Sequence, residues 1–334
     1  AQHSLRTFLH DIVVPAAPAP QRIRPGRPAS RGEKRARIGR MEAEEVVGLL
    51  GPSGPLAAEP GWELREPQID MCRAVAQALE RRLNLVVEAG TGTGKSLAYL
   101  LPVLAHAAST GRQVYVSTYT INLQEQLLHK DLPLAARLLG VPLHATLLKG
   151  RGHYLSPLRW QQLLLGTDSA RTEISTDLEG INPDELLIFK LKISVWLGRT
   201  VTGDRDELRL FGQEERIWRA VASEWADCPN RACLDGPSPC FYHRSRQRAA
   251  EADVVVVNHA LLLADAFNER ESLAAVRCLV LDEAHHIEEA ATRGLTEEAR
   301  EDDVLQSLAL AAGAGPRVGG RTTPGSELLD LEHQ

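Results

Sequence analysis

A P-loop, doubly wound parallel α/β sheet, broken by a mostly helical and cysteine-containing insertion, is the fold class this sequence predicts. Three observations carry that expectation. Residues 88–96, Glu-Ala-Gly-Thr-Gly-Thr-Gly-Lys-Ser, sit between an apolar run at Leu83–Val87 and a helical pattern that starts at Leu97. Further short apolar runs, at 113–117, 144–148, 253–257 and 276–281, alternate with helical stretches. The last run ends in two acids, Asp282 and Glu283. Strands of a parallel sheet are covered on both faces, so they read as near-continuous apolar runs joined by helical crossovers.

Taken in order, the chain begins with a basic, proline-punctuated stretch. Residues 1–40 hold Lys34 and arginines 6, 22, 24, 27, 31, 35, 37 and 40 against Asp11 and Glu33, a balance of +7 within a chain of net charge -6. Prolines 15, 18, 20, 25 and 28 interrupt any apolar period, so the stretch reads as a linker. Such a tail can bind nucleic acid without sequence preference, but a solvated linker explains it equally well. The first residue is Ala1, which suggests a piece of a longer reading frame.

The segment 41–155 is read as the first part of the sheet domain. Met41–Leu50 is a short amphipathic helix, a turn-rich stretch follows, and the folded pattern starts near Trp62. Ile69, Met71, Cys72, Val75 and Leu79 then share one helical face. After the P-loop come a strand at 113–117, a helix at Asn122–Leu128 and a strand at 144–148. Residues 156–250 lose that rhythm and show helical patches at 158–165, 183–197 and 213–225, the mark of an insertion. The rhythm returns at 251–290, and 291–334 is acidic, helical and then rich in glycine and proline.

At 334 residues with 43% hydrophobic and 25% charged residues, the composition is that of a soluble globular chain. No apolar run approaches the ~18 residues of a membrane span, and no secretory leader is visible, so a cytoplasmic protein without a membrane partner is expected.

The P-loop carries the chemistry of nucleotide binding. Gly90, Gly92 and Gly94 let backbone N–H groups turn inward around phosphates, with Thr91 and Thr93 between them. Lys95 is placed for the β- and γ-phosphates of ATP, and Ser96 for Mg²⁺. Ala89 stands where the strict pattern has glycine, a small change that leaves the glycines nearest the phosphates in place. Across the sheet, Asp282 would hold Mg²⁺ through water and Glu283 would orient and deprotonate the attacking water. His285 would then link hydrolysis to movement of a neighbouring domain. Acids at one strand end are by themselves an ordinary polar cap; joined to the P-loop, they form an ATPase pair.

Five motifs in series go further. They are Gly90–Ser96, Ser117-Thr-Tyr-Thr-Ile-Asn-Leu-Gln-Glu-Gln-Leu127, Lys149-Gly-Arg151, Val256-Val-Asn-His-Ala-Leu-Leu262 and Asp282-Glu-Ala-His285. In this order they resemble superfamily 2 helicases of the XPD/DinG type, over about Trp62 to Arg293. The resemblance implies a RecA-like motor domain that hydrolyses ATP while moving on single-stranded DNA, with duplex junctions as substrate and 5′-to-3′ polarity. It implies adenine-side roles for Arg65 and Gln68. It places Thr118, Thr120 and Gln124 on DNA phosphates, and it gives Lys149, Arg151 and Tyr154 a charge pair and a stacking face. Asn258 and His259 match a family motif without an evident role.

It also implies a second motor domain in the full-length chain, an arch-like insertion starting after residue 290, and, in some bacterial relatives, an exonuclease domain upstream. A fragment of this kind should bind nucleotide weakly and hydrolyse it slowly.

Such helicases often hold a 4Fe-4S cluster on four cysteines. Cys228, Cys233 and Cys240 fit the downstream three, but Ser156 stands at the first position. Three readings stay open: a cluster completed by serine, histidine or solvent, a structural zinc that uses His243, or free thiols. The rivals to a helicase are a nucleotide-gated DNA-binding module that does not unwind, and an unrelated P-loop switch ATPase indifferent to DNA.

Overall fold

The computed structural model describes residues 38–90, 92–165, 178, 180–224, 240–267 and 276–295. The packed body begins earlier than Trp62. Helix α1 (Ala43–Gly48) is closed by a reciprocal capping box between Glu42 and Glu45, and Val46, Val47, Leu50 and Leu56 enter the main apolar core. Helix α2 (Glu66–Arg81) takes Pro67 in its first turn, where no N–H is missed, and ends at Arg82 in the left-handed region. Helix α3 (Lys95–Thr110) follows the P-loop, and its residues Ala98 to Leu101 are at most 3% exposed. A helix apolar on nearly all sides has to be covered on all sides, and α2 supplies one of those covers.

Strand β1 (Val114–Thr118) leads to helix α4 (Ile121–Gln126), capped by the Thr120 hydroxyl. The predicted helix end at Leu128 is replaced by a single π turn, Leu127–Asp131, which runs on into α5 (Leu132–Leu139). Strand β2 (Ala145–Leu147) precedes the insertion, which contains α6 (Pro157–Leu165), α7 (Pro183–Leu197), α8 (Gln213–Val221) and α9 (Phe241–Glu251). These helices close over a second core, with Leu155, Phe189, Ile193, Ile217 and Trp218 at its centre. Strand β3 (Val254–Asn258), helix α10 (His259–Phe267), strand β4 (Leu279–Leu281) and helix α11 (Ile287–Leu295) return to the sheet.

The four described strands pair in parallel, in the order β2-β3-β1-β4. This is the α/β sheet with helical crossovers that the sequence predicts. Val116 lies between Val256 and Val280, and Ser117 between Val257 and Leu281, so the carboxyl ends of β1, β3 and β4 come to one edge.

Leu83–Val87 departs from expectation. The run forms no strand pairing among the described residues, and Leu83 and Val86 are 61% and 98% exposed. An extended segment needs a neighbour to take its N–H and C=O groups. The nearest strand in sequence, β1, already has β3 and β4 on its two sides, and β4 has β1 alone. No helix among the described residues is long and apolar enough to cross a membrane.

Candidate active site

The P-loop is shaped by two glycines in the left-handed region, Gly92 at φ 81° and Gly94 at φ 80°. Thr93 Oγ1 donates to the Gly90 carbonyl at 2.9 Å and tightens the turn. Arg65 and Gln68, expected beside the adenine, hold the loop itself. Arg65 Nη1 donates to the Gly92 carbonyl at 3.0 Å, and Gln68 Nε2 to the Gly94 carbonyl at 2.9 Å. A Cβ on Gly94 would stand 2.2 Å from that amide nitrogen and would have to displace the glutamine, and the positive φ favours glycine as well. Thr91 lies outside the described residues.

Lys95 opens α3, and its Nζ donates to Glu283 Oε1 at 2.8 Å, joining residues 188 positions apart. The hydrogen bond from Lys95 holds the Glu283 carboxyl below its ordinary range. Asp282 moves the other way: burial and the neighbouring Glu283 charge raise it. The pair is therefore differentiated, with Glu283 favoured as the anion and the half-buried Asp282 shifted toward its neutral form. Asp282 is held by its own N–H, which donates to the Ser117 carbonyl at 2.8 Å. Glu283 sits at φ 54°, ψ 43°, a conformation that costs a side-chain-bearing residue about 1–2 kcal/mol. His285 is mostly exposed, with Nδ1 3.5 Å from Glu283 Oε2.

The donors around Asp282 fit Mg²⁺. Tyr99, 3% exposed, turns its hydroxyl toward Asp282 and Ser96. A serine hydroxyl and a carboxylate on either side of that hydroxyl form an all-oxygen set, which a hard cation prefers. Tyr99 escaped the sequence reading. Its signal was available, because it lies one helical turn past Ser96 and therefore on the same face.

The residues expected on DNA divide by depth. Thr120 is exposed, whereas Thr118 and Gln124 are 0% and 1% exposed, with the Thr118 hydroxyl and both Gln124 amide atoms lacking partners among the described residues. Thr118 is covered because it is the last residue of a central strand. Lys149 is also inside: its side chain is 3% exposed and meets Asp204 and Asp206 at 2.7 Å and Glu125 at 3.2 Å. Burial works against its charge, but the hydrogen bonds to Asp204 and Asp206 outweigh that and push its pKa up. His153 and Lys149 beside Asp206 hold that carboxyl well below the usual range. The expected stacking face of Tyr154 is likewise taken up, since the residue is 3% exposed, its ring packs on Tyr242 at 5.9 Å and its hydroxyl oxygen accepts the Lys149 N–H at 3.3 Å. The Arg151 guanidinium lies 4.1 Å over the Tyr242 ring.

Cys240 is buried at the start of α9, and Ser156 caps α6, its hydroxyl accepting the Arg159 N–H at 3.3 Å. His243 makes an edge contact with the Tyr242 ring. Cys228 and Cys233 lie outside the described residues.

His259 was noted in the sequence without a role. It is 1% exposed, and its Nδ1 lies 2.7 Å from Ser117 Oγ. Burial keeps its pKa below the ordinary histidine value. Asn258 caps the same turn, its Oδ1 accepting the Leu261 N–H at 2.8 Å.

Comparison with known proteins points to helicases. Residues 70–169 match the DEAD/DEAH box helicase family and residues 233–304 the DEAD_2 family. The chain is 40% identical over 242 residues to an ATP-dependent helicase DinG of Mycobacterium tuberculosis, covering 70% of this chain and 36% of that protein. It is 36% identical over 253 residues to the ATP-dependent DNA helicase YoaA of Escherichia coli, covering 73% and 36%. It is 35% identical over 240 residues to the 3'-5' exonuclease DinG of Bacillus subtilis, covering 72% and 24%. The chain thus spans between a quarter and two fifths of the length of these relatives. Residues 70–169 and 233–304 thus resemble DEAD/DEAH box helicase and DEAD_2 domains, and the Lys95–Glu283 contact brings the two matched segments together.

Proposed function

We propose that this chain is the nucleotide-binding motor segment of a DinG-like, ATP-dependent DNA helicase that couples ATP hydrolysis to movement along single-stranded DNA. The observation that carries the reading is the 2.8 Å contact between Lys95 and Glu283. Lys95 rests on the carboxylate that is to act as base. Arriving phosphates compete for that ammonium, and its withdrawal lets the Glu283 pKa climb toward its ordinary value, which strengthens it as a proton acceptor. Ser96 and Asp282 would hold Mg²⁺, which when bound neutralises phosphate charge. Arg65 and Gln68 keep the loop's carbonyls turned away, so that its N–H groups remain free for phosphate.

On the DNA side, Thr120 and Arg151 are the contacts that stand nearest solvent. Thr118, Gln124, Lys149 and Tyr154 form the layer that positions them. The protein would act in the cytoplasm, on single strands and duplex junctions. The exposed apolar edges at 83–87 and on β4 are where further chain of the full-length protein would pair, and a second motor domain would supply the remaining ATP contacts. An exonuclease domain upstream and a 4Fe-4S cluster on Cys228, Cys233 and Cys240 are extensions of this reading that elemental analysis and the flanking sequence would decide.

The test is steady-state ATPase of the full-length protein with and without single-stranded DNA. Wild type should be stimulated by the strand, and Lys95→Ala should lose about 10²-fold or more in kcat, as expected for removing a preorganised charge from the transition state. An ATPase that ignores single-stranded DNA would favour a switch ATPase, and DNA-stimulated turnover without strand separation would favour the nucleotide-gated binding module.

A further inference from the structure

His259 stands behind the two acids. It is the first residue of α10, directly after β3, and its Nδ1 meets the hydroxyl of Ser117. Ser117 is wholly buried, pairs in register with Leu281, and gives its carbonyl to the Asp282 N–H. The imidazole therefore braces the peptide from which the Asp282–Glu283 loop departs. Its second nitrogen, Nε2, is buried and closes no hydrogen bond among the described residues. The groups it faces are the backbone carbonyls of Glu283 and Asp282. A neutral imidazole carries one donor and one acceptor. In the tautomer in which the Ser117 hydroxyl donates to Nδ1, the remaining proton sits on Nε2, the nitrogen left to serve those peptides.

The other side of the ring faces outward. His259 lines a cavity of about 360 Å³ together with Tyr119, Thr120, Asn258 and Arg293. Tyr119 stacks on His286 with ring centroids 3.9 Å apart, and its hydroxyl donates to Glu289 at 3.0 Å. The cavity wall thus touches the acid-bearing segment at both ends, at 282–283 through His259 and at 286–289 through Tyr119.

We infer that His259 is a positioning residue for ATP hydrolysis: its Nε2–H secures the Asp282–Glu283 peptides and aims the Glu283 carboxylate, so that turnover depends on how the strand ends at Ser117–Thr120 are held. The inference deepens the function proposed above and rests on it. It separates two ring nitrogens that different substitutions preserve. Asparagine keeps a polar group near Nδ1 and loses the Nε2 donor, whereas glutamine extends an amide N–H toward the Nε2 position.

The experiment is full-length ATPase kinetics for wild type, His259→Asn, His259→Gln and Ser117→Ala, each with and without single-stranded DNA. The expected result is about a tenfold fall in DNA-stimulated kcat for Asn, with the KM for ATP within about twofold of wild type, and a clear recovery for Gln. Ser117→Ala should lose about threefold, and it carries the test if the histidine variants fail to fold. Wild-type kcat in the Asn variant, a KM that rises in step with the loss, or Asn equal to Gln would overturn the inference, as would an unaffected Ser117→Ala. If wild type hydrolyses ATP without responding to DNA, the functional reading fails, and the same comparison of basal kcat still decides the role of His259.

Discussion

Two apolar runs that look alike in sequence meet opposite fates. Val254–Val257 of β3 are completely buried, flanked by β1 and β2 and covered on both faces. Leu83–Val87 is nearly as apolar, yet Val86 is 98% exposed and the run pairs with no described strand. β4 lies between these extremes, with one partner and with Leu279 and Leu281 about two fifths exposed. The difference teaches that hydrophobicity marks what a segment needs, whereas burial depends on which neighbours are there to meet that need. What joins the two poorly covered segments is polar. The Lys95–Glu283 ion pair ties the end of the P-loop to the end of β4.

The sharpest way to break the comparison is to put one charge in each run. Val255→Asp should cost about 4 kcal/mol or more, because the carboxylate has no partner in the sheet interior. Val86→Asp should stay within about 0.5 kcal/mol, as at other exposed positions. Denaturant titration of both variants checks this, and equal losses would mean that the 83–87 run is covered in solution.

A smaller effect is expected at the seam between insertion and sheet. Lys149→Met leaves Asp204 and Asp206 facing each other without their cation and should cost about 2–3 kcal/mol. That is less than a fully buried pair because the Asp206 side chain is 34% exposed. The fluorescence of Trp196 and Trp218, which pack edge to face in the insertion core, would report it.

The seam should also respond to pH, more weakly. The folded Asp206 has a depressed pKa, so its contribution is present above the unfolded value of about 4 and is lost as pH falls through the folded value. Lys149 is raised, so its contribution is present below about 10.4 and is lost as pH climbs through the folded value. Wild type should hold the seam at pH 5, and Lys149→Met should shift its acid transition upward. An unchanged acid midpoint would remove Lys149 from the seam.

These contrasts mark what could be read before folding. The P-loop and the Asp282–Glu283 pair were legible because their chemistry demands particular residues at fixed spacing beside apolar runs. β1, β2, β3 and β4 were legible within a residue or so at most ends for the same reason. Depth was not. Thr118 ends β1, Gln124 lies on α4, and Lys149 and Tyr154 follow β2; polarity in a sequence does not distinguish a surface group from one whose surroundings arrive from far along the chain. Lys149 is met by Asp204 and Asp206 across the insertion, and His259 by Ser117 from 142 positions away. The π turn at Leu127–Asp131 has no counterpart in the apolar pattern either.

The central claim is that phosphate cradle and paired acids serve one nucleotide, with Glu283 as the base. Single-turnover hydrolysis and ATP binding by Glu283→Gln in the full-length protein test it most directly. The account predicts ATP affinity close to wild type and a hydrolysis rate reduced about a hundredfold or more. Hydrolysis at the wild-type rate would contradict it.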